Sequence, residues 1–206
     1  MRKFLKIYSR LKTNFYIRWN RYYFSLSGVK YGSNMKVRNR IYVKNSFGGR
    51  VVIGNNFTYS SGDNINSVSR NICGSIHVMN DAASLVIGDN CGISAGCIRA
   101  MESIRIGNDV IIGADCLIMD NDAHPINYIQ RRMEFEKNIP RSEYLQYISK
   151  SPIVIADDVW IGARCQILKG VHIGERSIIA AGSIVTRDIP ADCVAGGIPA
   201  KIIKRI

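Results

Sequence analysis

The first 62 residues of this 206-residue sequence contain no aspartate or glutamate, although they hold 13 of its 28 lysine and arginine residues. In the rest of the chain, 15 basic residues face all 16 acids, so the net charge of +12 belongs to the N-terminal segment. A concentrated positive charge indicates an anionic partner for that segment, such as a membrane surface or nucleic acid, rather than a particular fold.

The sequence also lacks a long apolar run, and none approaches the ~20 residues that a membrane-spanning helix needs. Charges interrupt the N-terminal sequence MRKFLKIYSRLK every two or three positions, which argues against a secretory signal. The six cysteines include no CxxC pair and no zinc-type spacing. We therefore expect a cytoplasmic protein with reduced cysteines and no metal site.

Aliphatic residues recur at every sixth position, most clearly from Ile155 to Val185, and the next residue is mostly glycine or alanine. The same spacing returns from Ile106 to Ile118. A period of six fits neither an α-helix nor one long strand, but it is typical of very short strands joined by tight corners. Three such sides close a triangular coil, and successive coils stack at ~4.8 Å. This predicts a mainly β protein with a parallel β-helix, whereas a β-sandwich would need the spacing to be accidental.

The C-terminal stretch from Ile155 onward, with its motifs VWIGA, AGSIVTRDIP and GGIPAK, resembles the hexapeptide-repeat acyltransferases. The resemblance covers about residues 28–206 and is closest to the maltose, galactoside and polysaccharide O-acetyltransferase branch. It implies a left-handed β-helix, although general chirality rules favour right-handed crossovers. It also implies a homotrimer with acetyl-coenzyme A (acetyl-CoA) bound between neighbouring subunits.

These patterns divide the chain into a short sequence of segments. We expect an N-terminal helix over 1–27, β-helix coils over 28–118 and 153–190, a protruding active-site loop over 119–152, and a coenzyme-contacting tail over 191–206.

The loop begins with the sequence DNDAHPI, which places His124 where a coil ends. Removing a proton from a hydroxyl near neutral pH suits an imidazole, so His124 is the best-placed base. The resemblance implies the same role, since a loop histidine before proline is the catalytic base of the family. Asp120 and Asp122 either orient this imidazole, bind an acceptor hydroxyl or are simply solvated. By resemblance, Glu102 lies near an acceptor-binding acid.

The other two histidines are weaker candidates. His172 precedes the inward-facing Ile173 and should point outward, and His77 lies in an irregular stretch, so both are expected to be structural or solvated. A zinc hydratase of the same fold would need three histidines meeting at one metal, and their spacing argues against it.

Coenzyme A carries phosphates that require cations and free backbone N–H groups. The resemblance implies main-chain contacts to the coenzyme from Ala163 and Ala181. It implies contacts to the nucleotide end from four residues near the C-terminus: Thr186, Arg187, Lys201 and Lys204. It also implies that the outward-facing Trp160 packs against the coenzyme arm. A corner amide could also stabilise the developing oxyanion. We expect direct transfer in a ternary complex, with an acyl-enzyme on a cysteine left open.

One apolar stripe at helical spacing runs along residues 1–26, comprising Phe4, Tyr8, Leu11, Phe15, Trp19, Tyr22 and Leu26. Basic residues flank it. Either this helix caps the coil stack with its stripe buried, or it lies on an anionic membrane, and one helix could do both. Nucleic acid is not an expected partner.

Together these observations predict an acetyl-CoA-dependent O-acetyltransferase acting on a sugar or a surface-polysaccharide precursor, peripheral on the inner face of the membrane. Two alternatives remain. One is N-acetylation of an amino sugar or an antibiotic, and the other is a non-catalytic, membrane-associated β-helical scaffold.

Overall fold

The computed structural model describes residues 2–62, 66, 68, 72–135 and 140–206. The chain begins with helix α1 (Arg2–Leu26), and short strands then form six complete coils. The first three coils comprise β1 (Val29–Tyr31), β2 (Lys36–Arg38), β3 (Ile41–Lys44), β4 (Arg50–Ile53), β5 (Thr58–Ser60), β6 (Gly74–Val78), β7 (Ser84–Ile87), β8 (Gly92–Ser94) and β9 (Cys97–Ala100). The fourth coil comprises β10 (Ser103–Ile106), β11 (Ile111–Ile112) and β12 (Leu117–Met119).

A loop then leaves the β-helix and carries two short helices, α2 (Tyr128–Arg132) and α3 (Arg141–Leu145), with a 3₁₀ turn at Met133–Phe135. The chain returns for two more coils and a C-terminal hairpin, made of β13 (Ile153–Ile155), β14 (Trp160–Ile161), β15 (Gln166–Leu168), β16 (His172–Ile173), β17 (Ile178–Ile179), β18 (Ile184–Val185), β19 (Cys193–Gly197) and β20 (Ala200–Arg205).

The three sides of the coils stack into three sheets. Sheet A contains β1, β4, β7, β10, β13 and β16; sheet B contains β2, β5, β8, β11, β14, β17, β19 and β20; sheet C contains β3, β6, β9, β12, β15 and β18. All pairs are parallel except β19 with β20. The predicted left-handed parallel β-helix, with its N-terminal helix and protruding loop, is confirmed. Because β19 pairs in parallel with β17, the β-helix continues beyond residue 190.

The inward side chains of each sheet align in register and form the core. In sheet A, the row Ile53, Ile87, Ile106, Ile155 and Ile173 runs through five coils, and each is at most 1% exposed. Burying each such side chain contributes about 1.5–3 kcal/mol. The six-residue spacing in the sequence is therefore the spacing of core positions.

The corners between sheets A and B require left-handed backbone conformations, and short polar residues supply them. Asn34, Asn56, Asn90 and Asp109 all have positive φ, between 56° and 59°. Their side chains form a ladder of hydrogen bonds along the corner, with lengths of 3.0, 2.8 and 3.0 Å. Asparagine and aspartate tolerate this conformation because they can hydrogen-bond locally.

Helix α1 covers the open end of the first coil. Phe24 is fully buried against the core, and the Asn20 side chain donates to the carbonyls of Val37 at 3.0 Å and Asn39 at 2.8 Å. The stripe from Tyr8 to Leu26 lies on the other side of the helix and is exposed. The alternative in which capping buries the stripe is therefore wrong, because a separate face of α1 makes the cap.

Candidate active site

A tight turn presents His124 at the point where the chain leaves the fourth coil. Asn121 forms an antiparallel bridge with Lys150, which closes the base of the loop. The Asn121 side chain then accepts from the Ala123 amide at 3.0 Å, and the His124 amide donates to the Asp122 carbonyl at 2.7 Å. Ala123 has a φ of +63°, which is strained for a residue with a Cβ. This turn leaves His124 exposed to solvent.

A tyrosine of the same loop contacts the ring of His124. Its Nδ1 lies 3.1 Å from the hydroxyl oxygen of Tyr144 in α3. Tyr144 is only 5% exposed and packs in a small apolar cluster with Met79, Met101 and Ile148. Sequence analysis missed Tyr144, because the loop lacks the six-residue repeat that would have placed it.

Asp120 is buried next to this turn rather than exposed beside His124. Its carboxylate is fully buried and accepts hydrogen bonds from the amides of Met101 and Glu102, both at 2.8 Å, and from the Asn121 side chain at 3.0 Å. The structure therefore gives Asp120 no access to an acceptor, and its role is to tie two coils together. Glu102 is half-buried at the same corner.

The carboxylate of Asp122 contacts the next coil. Its Oδ1 lies 2.7 Å from the ammonium of Lys169, and both side chains are partly exposed. Its Oδ2 is buried and has no hydrogen-bond partner within the described ranges. Lys169, which the sequence analysis did not single out, thus fixes the loop on the side of the fifth coil.

A groove of about 460 Å³ runs along the corner between sheets C and A, from the first coil to the loop. Its lining combines apolar side chains with amides and charges, and consists of Phe47, Met79, Asn80, Asp81, Ala82, Met101, Leu145, Gln146 and Lys150. The Asn80 side chain donates to the Met101 carbonyl at 2.8 Å. Its Oδ1 is buried and accepts no hydrogen bond from the described part of the chain. Sequence analysis did not find this groove.

Two of the predicted coenzyme-binding residues, Trp160 and Lys204, lie in one row on the outer face of sheet B. The register places Trp160, Ile178, Val194 and Lys204 opposite one another on successive strands, so they form one row. Trp160 is 53% exposed, as its outward position predicted, and Ile111 extends the row on the other side. Lys201 lies on the same strand as Lys204. The row offers an apolar surface that ends in cations.

The predicted main-chain contacts lie at the corner between sheets B and C. Ala163 and Ala181 occupy equivalent corners of the fifth and sixth coils, and these corners approach closely. A Cβ added to Gly162 would lie 2.6 Å from the Ala181 nitrogen. Within the residues that the structure covers, neither the Ala163 nor the Ala181 amide donates a backbone hydrogen bond.

One chain does not bring all these residues together. His124 lies at the corner between sheets C and A, whereas Ala163 lies at the corner between sheets B and C. A side of six residues separates the two corners, which amounts to roughly 15–20 Å. Thr186 and Arg187 are exposed on the His124 edge, two coils further along. His172 is exposed on β16 of sheet A, and His77 lies on β6 of sheet C.

Four of the six cysteines are buried inside the coils. Cys91, Cys116, Cys165 and Cys193 are at most 2% exposed inside the coils. Burial raises the pKa of the Cys91 thiol to about 11, and a hydrogen bond between Cys116 and Cys165 raises the pKa of the first and lowers that of the second. None of these four thiols can reach a thioester, which excludes them as the site of an acyl-enzyme.

Comparisons with known proteins agree with the β-helical fold. Residues 152–187 match the family described as bacterial transferase hexapeptide (six repeats). A putative acetyltransferase of Saccharomyces cerevisiae is 37% identical over 129 residues, which cover 60% of this chain and 57% of that protein. A 2,3,4,5-tetrahydropyridine-2,6-dicarboxylate N-acetyltransferase of Staphylococcus aureus is 56% identical over 57 residues, or 28% of this chain and 24% of that protein.

Among solved structures, a hexapeptide-repeat-containing acetyltransferase of Vibrio cholerae matches with a TM-score of 0.53 and 26% identity, covering 88% of this chain and 76% of that one. The resemblance to the hexapeptide-repeat acetyltransferases is confirmed. The chain spans 57% and 24% of the lengths of the two relatives matched by sequence.

Proposed function

With the hexapeptide repeat of bacterial transferases as the premise, we propose that this protein is an acetyl-CoA-dependent O-acetyltransferase of a sugar or a surface-polysaccharide precursor. The observation that carries the proposal is the exposed His124, held on a strained turn with one ring nitrogen bonded to Tyr144. A scaffold would not require an oriented imidazole in this position.

The proposed reaction is a direct transfer within a ternary complex. His124 removes the proton from the acceptor hydroxyl as its oxygen attacks the thioester carbonyl carbon. The tetrahedral intermediate then collapses, the carbon–sulfur bond breaks, and the proton passes to the departing thiolate. The Ala163 amide can donate to the oxyanion, which preorganised donors stabilise strongly.

We propose that the active enzyme is a homotrimer, because one chain leaves the two halves of the site at different corners. A second copy would set its Ala163 and Trp160 opposite His124 of the first. Acetyl-CoA would then lie between subunits, with its pantetheine arm along the sheet B row and its nucleotide near Thr186, Arg187, Lys201 and Lys204.

The acceptor in this proposal occupies the groove beside the loop. A sugar ring can pack its apolar face on Phe47, which is half-exposed, while its hydroxyls meet Asp81, Gln146 and Lys150. The charged and amide groups of Asp81, Gln146 and Lys150 can hydrogen-bond hydroxyls but not an alkyl chain, so the groove favours a saccharide.

Calorimetric titration with acetyl-CoA tests the class of function, and thiol release over a panel of acceptors tests the substrate. We expect acetyl-CoA binding and thiol release that depends on a saccharide hydroxyl. Release only with amino sugars would indicate N-acetylation instead. The absence of any coenzyme binding would support a scaffold and overturn the proposal.

We also propose that α1 attaches the protein to an anionic membrane. Six stripe side chains are between 51% and 67% exposed: Tyr8, Leu11, Phe15, Trp19, Tyr22 and Leu26. Such a continuous apolar patch is unusual on a free surface. At 100° per residue, Lys12 and Arg18 fall on either side of the stripe, and each basic residue near an anionic surface contributes about 1 kcal/mol. No helix among the described residues is both long and apolar enough to span a membrane.

Co-sedimentation with vesicles of neutral or acidic phospholipid tests this attachment. Deleting residues 1–26 would remove Phe24 from the core, so the better variant replaces Leu11, Phe15 and Trp19 with serine and leaves the capping face intact. We expect full-length protein to bind acidic vesicles at low salt and the variant to lose binding, with Tyr42→Ser as the matched control. A variant that binds vesicles normally but dissociates the trimer would assign the stripe to a subunit interface.

A further inference from the structure

A partly buried arginine of sheet C, Arg99 on β9, lies beside the groove and the loop that carries His124. We propose that Arg99 binds a negatively charged group of the acceptor, which makes the acceptor an acidic saccharide with a carboxylate or a phosphate. This inference rests on the proposed acetyl transfer to a saccharide, and it names the chemical class of that saccharide.

The guanidinium of Arg99 has a weak partner for a charge that is partly removed from water. Its Nε donates to the Sδ of Met79 at 3.2 Å. Among the residues that the structure describes, the side chain of Arg99 forms no ion pair and no other hydrogen bond. A thioether is a weak acceptor, whereas a guanidinium carries five N–H donors. Because partial burial of a poorly paired charge is costly, a ligand with anionic oxygens would stabilise this side chain.

The contact with Met79 places Arg99 at the candidate active site. Met79 lines the groove and belongs with Tyr144 to the small apolar cluster under the loop. The hydroxyl oxygen of Tyr144 lies 3.1 Å from Nδ1 of His124. The main chain of Arg99 also meets the start of the turn, since its carbonyl accepts from the Asp120 amide at 3.4 Å. An acceptor in the groove can therefore set a charged group on Arg99 while a hydroxyl faces the imidazole.

Two further basic residues extend the row that Arg99 ends. The strand register places Lys44 opposite His77 and His77 opposite Arg99, so these side chains share the outer face of sheet C in the first three coils. Neighbouring strands lie ~4.8 Å apart, so the row spans about 10 Å. The six strands of sheet C, all of them within the described ranges, contain no aspartate or glutamate. This part of the face therefore favours an anion.

The acids around the groove and the turn do not neutralise the guanidinium. Asp120 accepts from two backbone amides, and Asp122 pairs with Lys169. Neither Glu102 nor Asp81 forms an ion pair with the arginine in the described structure. The planar fork of a guanidinium matches the paired oxygens of a carboxylate or a phosphate. The carboxylate of a uronic acid and the phosphate of a sugar phosphate both supply such oxygens.

Pairs of ligands that differ mainly in charge test the inference. Calorimetric titration compares glucuronic acid with its methyl ester, and glucose 1-phosphate with methyl glucoside. The protein is first saturated with coenzyme A, so that a sugar phosphate cannot occupy the coenzyme site. We expect at least one anion to bind about tenfold or more tightly than its neutral counterpart, as a charge-assisted hydrogen bond allows. A preference in the first pair alone identifies a carboxylate, and a preference in the second pair alone identifies a phosphate.

Arg99→Met removes the charge and keeps an unbranched apolar side chain beside Met79. We expect this variant to lose the preference for the anion while its binding of the neutral ligands stays unchanged. Arg105→Met is the matched control, because Arg105 is an exposed arginine on β10 of sheet A, and it should keep the preference. Lys150→Met tests the cation of the groove itself. If the preference were lost in Lys150→Met but kept in Arg99→Met, the lysine would bind the anion and the inference would be overturned.

Equal binding of the charged and neutral members of both pairs by the wild-type protein would also overturn the inference, and this comparison does not require any variant to fold. Thiol release with the same four ligands separates the inference from the proposed reaction. We expect the preference in binding to return as a preference in kcat/KM. Anion binding that depends on Arg99 without any thiol release would contradict the proposed acetyl transfer, whereas the anion site would stand.

Discussion

The carboxylate of Asp120 lies 2.8 Å from the backbone amide of Glu102, one coil earlier in the stack. It also accepts a hydrogen bond from the Met101 amide. This carboxylate therefore pairs two backbone N–H groups that the corner would otherwise leave buried and unpaired. The same residue begins the turn to His124, so the stacking of the coils and the placing of the base depend on one side chain.

We therefore expect Asp120→Ala to lower the free energy of unfolding by about 2–4 kcal/mol, because two amides lose their acceptor and the Asn121 side chain loses the nearer of its two. Thermal and chemical denaturation measure this loss. Asp122→Ala is the control, since Asp122 pairs with Lys169 near the surface and should cost no more than about 1 kcal/mol. Equal stability losses would argue against a structural role for Asp120.

The second prediction concerns the coenzyme end. Charge removal at Arg187 or Lys201 should weaken the binding of acetyl-CoA more than that of its 3′-dephospho derivative, because a contact with the 3′-phosphate exists only when that phosphate is present. Calorimetric titrations of both ligands give the ratio. Lys30→Ala, an exposed lysine on β1 of the first coil, should leave both affinities unchanged. Parallel losses for the two ligands would place Arg187 and Lys201 elsewhere.

Much of the fold could be predicted because the inward-facing positions of a β-helix recur in the sequence at a short, regular spacing. Each aliphatic residue such as Ile155 is one core position, and the outward position of Trp160 follows from its inward neighbour. The loop offers no such period. Tyr144 and Asn80 contact partners through tertiary packing at 20 or more residues' distance along the chain, which local patterns do not encode. The role of Asp120 also depends on burial, which the sequence does not show, so orientation of the imidazole, binding of an acceptor hydroxyl and solvation all remained open for it.

The third prediction concerns His124 itself. His124→Ala should lower kcat by about 10²–10⁴-fold, the usual contribution of a positioned general base. Acetyl-CoA affinity should stay near that of the wild-type protein, since the proposed coenzyme contacts come from the sheet B row and the corner amides rather than from the imidazole. Thiol-release kinetics and calorimetry measure the two quantities. A variant that kept more than half of the wild-type kcat would remove His124 from the mechanism.

The fourth prediction uses the cysteines as probes of the core. Under native conditions a thiol reagent should modify only Cys73 and Cys97, which are partly exposed, whereas Cys91, Cys116, Cys165 and Cys193 should react only after unfolding. Mass spectrometry with and without denaturant counts the labelled sites. Rapid native labelling of Cys165 would show that the interior opens, and would reopen the question of an acyl-enzyme.

The fifth prediction tests the close approach of corners beside the proposed oxyanion site. A Cβ at Gly162 would lie 2.6 Å from the Ala181 nitrogen, closer than packed atoms allow, so Gly162→Ala must displace backbone. We expect a stability loss above about 2 kcal/mol, together with weaker acetyl-CoA binding because the Ala181 amide moves.

Gly182→Ala is the matched control at the neighbouring residue. Gly182 has a φ of +76° and nothing within 4 Å of an added Cβ, so alanine there meets only the conformational penalty of about 1 kcal/mol. The Ala181 amide should stay in place and coenzyme affinity should change little. If the two variants lost the same stability and the same affinity, steric contact between the corners would not be what determines the geometry of this part of the site. The amides of Ala163 and Ala181 would then have to be positioned by the ligand rather than by the fold.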